Sequence, residues 1–336
     1  MKSIVSPFAR MLALGAAFVA LSSAAFAQDG ELVVYNAQHE TLTQAWVDAF
    51  KAETGIDVVV RQGSDLELGN QIVQEGTMSP ADVFLTENSP AMVLVDNAGL
   101  FEPLPADLLE QVPAQFRPEN GHWTGIAARA TVFAYNTDKL SEDMLPKTMA
   151  ELADPAWQGR WAASPGGADF QAIVAAYLAL NGEEATKTWL DGMKANVVSL
   201  RGNRAAMAAA NNGEVDGALI YHYYWFGDQA GTKESSDKIA LHYFKNQDPG
   251  AFISISGGGV LATSQHKEQA LQFLKFVTGA GGQTVLRDDS FEYAIGVDQA
   301  ANAALVPLED LEAPAIDPTQ LDNSKAAELM TAAGLL

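Results

Sequence analysis

Two β-type apolar runs flank a helical stripe within the first sixty residues, and that order admits few folds. Leu32-Val33-Val34-Tyr35 reads as a strand. Over 41–54 the apolar residues Leu42, Ala45, Trp46, Ala49 and Phe50 fall on one helical face. Gly55 ends that helix, because glycine enters the left-handed region without a Cβ clash. Ile56-Asp57-Val58-Val59-Val60 is the next strand. Strand, helix, strand makes a βαβ unit and implies parallel pairing. The alternation continues with a helix over 66–75, a strand over 81–85 that ends at Thr86-Glu87, and a helix over 89–98. A second α/β pattern follows: strands over 131–135, 217–221 and 253–263, helices over 171–180, 184–196 and 265–278, and two short helical stretches in a proline-punctuated tail. The expected class is therefore α/β, with two domains for a chain of this length.

Lys2 and Arg10 precede the uncharged apolar run 11–20, and Ala25-Phe26-Ala27 offers the small residues that a signal peptidase reads. This pattern predicts a secretory signal cleaved after Ala27. Position 28 is Gln rather than Cys, so no lipid anchor is expected, and the expected compartment is the periplasm. There are no cysteines, which excludes disulfides, thiolate metal sites and a cysteine nucleophile. The formal charge is −22, and −24 without Lys2 and Arg10. Nucleic acid is excluded as a partner, since phosphate binding needs clustered Lys and Arg.

Four residues placed after strands carry distinctive chemistry: His39, Glu87, Tyr223 and Tyr224. One imidazole, one carboxylate and two phenols form an oxygen-rich, sulfur-free set suited to a hard cation. Free tyrosine titrates near pH ~10, so a phenolate ligand needs a strong Lewis acid, and Fe3+ has the required charge density. Two phenolates and a carboxylate also balance a trivalent ion. Neighbouring tyrosines point to opposite faces of a strand, so convergence of this pair on one ion requires a turn or a helix start at 223. Each residue also has an ordinary structural role open to it. Tyr-Tyr-Trp suits an aromatic core cluster, a lone histidine after a strand suits a cap, and Glu87 suits support of a helix N-terminus.

In order and spacing, the blocks Val34-Tyr35-Asn36-Ala37-Gln38-His39, Pro80-Ala81-Asp82-Val83-Phe84-Leu85-Thr86-Glu87, Asn212-Gly213-Glu214-Val215, His222-Tyr223-Tyr224-Trp225 and Asn246-Gln247-Asp248-Pro249-Gly250-Ala251 resemble the periplasmic ferric-ion-binding proteins, transferrin-like members of the type II solute-binding proteins. The resemblance implies a two-domain periplasmic-binding-protein fold with an interdomain ligand cleft. After the signal peptide at 1–27, one lobe is expected at 28–131 plus 254–304, and the other at 132–253 plus 305–336. The resemblance also implies delivery of iron to an inner-membrane ABC permease; a monomer is the default expectation. His39 and Glu87 would come from the first lobe, and Tyr223 and Tyr224 from the second. A synergistic anion, phosphate or carbonate, would sit near Gly167 and Ala168, where relatives have Ser-Gly-Ala, although Asp169 adds a negative charge there. Asn203 keeps one anion-side Asn of the family, while Tyr221 replaces another and packs at the strand end, fills part of that space or supplies a third phenolate, strand-end packing being the favoured reading. Asn88 and Arg129 are expected beside the site, Arg129 bracing the hinge, and His222 is expected to point away as support.

Two other functions fit parts of this pattern. An organic cation such as thiamine or a polyamine would use Trp225, Tyr223 and Glu87. A secreted metalloenzyme would need an open coordination position and a base, and no His-Glu-x-x-His, Gly-x-Ser-x-Gly or phosphate loop is present. No enzyme activity is expected.

Overall fold

The computed structural model describes residues 30–336, so the signal peptide and its cleavage site lie outside the described residues. Ten strands occur among these residues: β1 (Leu32–Asn36), β2 (Val58–Gln62), β3 (Val83–Leu85), β4 (Thr124–Asn136), β5 (Trp161–Ala163), β6 (Val197–Ser199), β7 (Gly217–Tyr221), β8 (Ile239–His242), β9 (Ile253–Val260) and β10 (Tyr293–Ala294). The α-helices are α1 (Glu40–Thr54), α2 (Asp65–Glu75), α3 (Pro90–Asn97), α4 (Ala106–Leu109), α5 (Ala168–Asn196), α6 (Asn203–Asn211), α7 (Tyr223–Ala230), α8 (Lys267–Thr278), α9 (Ala280–Asp289) and α10 (Asn323–Ala332). No described helix is long and apolar enough to cross a membrane.

The strands run in the order β2-β1-β3-β9-β4-β7-β5-β6, with β8 and β10 also paired to β4. One half has parallel β2-β1-β3 closed by antiparallel β9. The other has parallel β6-β5-β7 closed by antiparallel β4. β4 is the strand that joins them. Up to Ala130 it pairs with β9, and from Thr131 it pairs with β7. All thirteen of its residues are buried, so the strand has no period-2 alternation, and only the β-branched and aromatic residues of its second half were legible as a strand.

Each parallel group is packed on both faces because strand side chains alternate. Leu32 and Val34 of β1 meet Leu42, Trp46 and Phe50 of α1 and Phe273 of α8. Tyr35 faces the other way, with Leu68 and Ile72 of α2 and Met92 of α3. Trp46 also donates to the Gly282 carbonyl at 2.8 Å, tying α1 to α9. In the second group Leu219 and Tyr221 face α5, and Ala218 and Ile220 face α6. Burying side chains of this size contributes about 1.5–3 kcal/mol each. β9 carries Gly257, whose absent Cβ makes room for Met92.

Several boundaries differ from the sequence reading. β2 starts at Val58 rather than Ile56, and α5 is one assignment from Ala168 to Asn196 kinked at Gly182, whose φ of 78° breaks the helix between the two predicted segments. Helix α9 was not foreseen, since Gly281 and Gly282 in its first turn have weak helix propensity.

Candidate metal centre

The predicted residues gather where strands hand over to helix N-termini, which carry unpaired N–H groups and the positive end of the helix dipole. His39 immediately precedes α1. Glu87 and Asn88 lie between β3 and α3, whose first residue is Pro90, a position that has no use for an N–H. Tyr223 and Tyr224 open α7, so the pair does leave the strand geometry that would have split it. Asn203 opens α6, while Gly167 caps α5 and Ala168 is its first residue.

Side chains from the two halves touch directly. The Tyr223 hydroxyl donates to Glu87 Oε1 at 2.9 Å. His39 Nε2 stands 3.4 Å from that same oxygen, and its ring lies 5.2 Å from the Tyr223 ring. This nitrogen is buried and has no hydrogen-bond partner. The Tyr223 and Tyr224 rings lie 4.2 Å apart and 32° from parallel. The Tyr224 hydroxyl donates to Asp169 Oδ2 at 3.0 Å, and Asn203 donates to that oxygen at 2.7 Å. Among the described residues no three or more His, Cys, Asp or Glu side chains are disposed to hold a metal by themselves, so a metal held here needs the phenols.

Sequence reasoning treated Asp169 only as a charge that disfavours an anion, and it is the centre of the second half of the site. Its other oxygen accepts from Asn88 at 3.1 Å. Asn88 is a buried hub: its carbonyl oxygen accepts from Tyr221 at 3.2 Å and from Ser254 at 2.7 Å. The Tyr221 hydroxyl also reaches the Asp169 carbonyl at 3.3 Å, so its proton is committed to neutral oxygens. The Gly167 N–H is not free, because it donates to the Ser164 carbonyl at 2.9 Å.

Three further residues had no signal in a single sequence. Asp65, at the start of α2, accepts from the backbone N–H of Glu87 at 2.8 Å and of Asn88 at 2.9 Å, which fixes the loop that presents Glu87. Glu292 makes a fully buried ion pair with Arg129 at 2.8 Å, and its other oxygen stands 3.7 Å from His39 Nε2. Gln38 accepts from Arg129 at 3.0 Å and from the His39 N–H at 2.8 Å. Arg129 thus ties strand β4 to the backbone of His39, and its guanidinium lies 5.9 Å from the Tyr223 ring. His222 accepts the Ala130 N–H on its ring Nδ1 at 3.2 Å.

The electrostatics follow from crowding carboxylates and phenols out of water. Burial, then the charges of Asp169 and Glu87, push the Tyr223 phenol well above its ordinary value, against the pull of Arg129. The same causes raise Tyr224. Burial, with Glu87 second, lifts Asp169 to about 8 and Asp65 to about 7. Burial lowers His222 to about 3. The hydroxyl protons of Tyr223 and Tyr224 bridge the cluster, and a multivalent cation is the natural replacement for them. The cavity of about 820 Å³ lined by Phe116, Ile253, Ile255, Leu308 and Ile316 contains none of the predicted ligands.

Residues 78–317 match the model of the family described as "Bacterial extracellular solute-binding protein". Over 327 residues the chain is 60% identical to a "Fe(3+)-binding periplasmic protein" of Serratia marcescens, covering 97% of this chain and 95% of that one. It is 36% identical over 310 residues to a "Major ferric iron-binding protein" of Neisseria meningitidis serogroup A, with 91% and 93% covered. The crystal structure of iron-bound HitA from Pseudomonas aeruginosa superposes with a TM-score of 0.86 at 40% identity, covering 91% of this chain and 99% of that one. The fold is that of the type II periplasmic binding proteins. Taken with the crossing strand and the two parallel sheet groups, these matches establish that the chain belongs to the bacterial extracellular solute-binding protein family.

Proposed function

We propose that this protein captures Fe3+ between two lobes in the periplasm and hands it to an ABC permease in the inner membrane. The observation that carries the reading is the pair of contacts Tyr223–Glu87 and Tyr224–Asp169, with an unpartnered His39 nitrogen beside them. The lobes are 28–131 plus 254–304 and 132–253 plus 305–336. The change of partners along β4 at Ala130 and Thr131 supports that division. His39 and Glu87 then come from one lobe, and Asp169, Tyr223 and Tyr224 from the other. All five donors meet only when the lobes are together, so the ion shifts the population toward closure.

Asp169 takes the place that a synergistic phosphate or carbonate would fill near Gly167 and Ala168. Its carboxylate already receives Tyr224, Asn203 and Asn88, and the Gly167 N–H is engaged. Glu87, Asp169 and two phenolates supply four negative charges to the trivalent ion, while Arg129 and Glu292 cancel one another. Proton loss from the phenols is driven by the ion, so loading releases protons. Thiamine or a polyamine is a poorer occupant, because Tyr223 and Glu87 in direct contact leave room for an ion rather than an organic cation.

The test is a visible titration of the purified mature protein with ferric citrate. A phenolate-to-iron charge-transfer band should grow to one equivalent and vanish in the Tyr223→Phe/Tyr224→Phe double variant. A colourless protein, or a band that survives in the double variant, overturns the reading.

A further inference from the structure

We infer that His222 is the positioning residue that lets the tyrosine pair leave the sheet together, by using its ring nitrogen in place of its own carbonyl in the β4–β7 ladder. This rests on the reading of Tyr223 and Tyr224 as iron ligands, but its geometric basis is separate.

The register of β4 against β7 pairs Thr131 with Tyr221, so the next antiparallel pair is Ala130 with His222. A hydrogen-bonded antiparallel pair exchanges two bonds, one from each N–H to the opposite carbonyl. The first is present: the His222 N–H donates to the Ala130 carbonyl at 3.0 Å. The second is missing in its usual form, because the His222 carbonyl is already used. It accepts from the N–H groups of Trp225 at 3.1 Å and Phe226 at 3.4 Å, the first turn of α7. The Ala130 N–H goes instead to His222 Nδ1 at 3.2 Å. Both Ala130 and His222 are buried, so without that ring nitrogen the Ala130 N–H would have no acceptor.

This substitution solves the problem posed by two adjacent ligands. Had the ladder continued through backbone carbonyls, Tyr223 and Tyr224 would have alternated across the sheet. Releasing the His222 carbonyl starts a helix one residue before Tyr223, and both rings then fall side by side. The anchor is also at the right place. Ala130 is the residue at which β4 leaves β9, so the tyrosines are registered to the crossing strand itself. The His222 ring is fixed by stacking on Tyr293 of β10, 4.8 Å away and 29° from parallel, with Tyr223 and Phe226 against it edge-on. Asparagine places an acceptor at a comparable reach but lacks that stacking surface, whereas phenylalanine keeps the ring and lacks the acceptor.

The contrast between those two variants is the test. His222→Phe should expose the Ala130 amide to faster hydrogen exchange in the metal-free protein. After ferric citrate loading it should shift or weaken the charge-transfer band, and iron should pass to a competing chelator roughly ten- to a hundredfold faster, the range expected for one unsatisfied buried donor. His222→Asn should restore the band position and most of the retention. If Phe behaves as wild type in all three measurements, or if Asn is as impaired as Phe, the acceptor role is wrong and the ring serves packing only. Should His222→Phe fail to fold, the wild-type ring decides: its ¹⁵N shifts must report an unprotonated Nδ1 at neutral pH, and a protonated Nδ1 overturns the inference. A wild-type protein that never develops a band would sink the iron reading, while the amide exchange and the tautomer would still judge the latch.

Discussion

Asp169 Oδ2 receives the Tyr224 hydroxyl at 3.0 Å and the Asn203 amide at 2.7 Å, so one carboxylate oxygen binds both a proposed ligand and the residue expected to hold an anion. On the proposed reading, this internal carboxylate takes the part of an external phosphate or carbonate. Wild-type protein should therefore take up ferric iron equally well in buffers with and without phosphate or carbonate. Asp169→Ser should weaken iron retention by orders of magnitude and recover part of it when phosphate is added. Chelator competition in the two buffers measures both effects, and an anion-dependent wild type would contradict the assignment.

Acidity should act in opposite directions on stability and on loading. Asp65 is raised to about 7 and Asp169 to about 8, burial being the first cause in each case. Folding then favours their protonated forms. The stability they contribute is complete below their ordinary value near pH ~4 and is lost as pH climbs through 7 and 8. Urea midpoints of metal-free protein should fall between pH 5 and pH 8, and Asp169→Asn should flatten that fall. Iron loading should strengthen with pH over the same range, since Tyr223, Tyr224 and Asp169 must lose protons. Each released proton contributes about tenfold per pH unit.

The Arg129–Glu292 pair is buried on both sides. Glu292→Gln leaves the guanidinium uncompensated, and unfolding experiments should register a loss of about 3–5 kcal/mol. The double replacement Arg129→Met/Glu292→Leu should cost much less, because no charge is stranded. Equal losses in the single and double variants would mean that shape, not charge, is what the pair supplies.

Tyr221 gives its hydroxyl proton to the Asn88 and Asp169 carbonyl oxygens. Tyr221→Phe should lower stability by about 1 kcal/mol and leave the visible band of the loaded protein in place. A displaced or weakened band would make Tyr221 a third phenolate ligand.

What could be read in advance depended on how local each signal was. The βαβ alternation, the helix stripe over 41–54 and the strand ends at His39 and Glu87 are encoded within a few residues, and the structure places them in that order. The need for a turn at the tyrosine pair follows from strand alternation alone, and α7 begins at Tyr223. Donor chemistry and strand-end position singled out residues 39, 87, 223 and 224, and resemblance to a family made that grouping specific, which no periodicity does. The first half of β4 was invisible because it is buried on both faces and is built largely of Gly125, three alanines and Arg129, which carry no strand alternation.

The sequence by itself determined the class of fold, the absence of sulfur chemistry, and a set of oxygen donors suited to a hard cation. Only the tertiary structure decided which carboxylates surround the phenols. Asp65 and Glu292 have nothing local to distinguish them from the protein's other carboxylates, which mostly face water, and Asp169 stood out only as a charge beside Gly167 and Ala168. They acquire shifted equilibria or a buried partner only because β4 and β9 bring distant helix starts together, where exclusion of water turns position into chemistry.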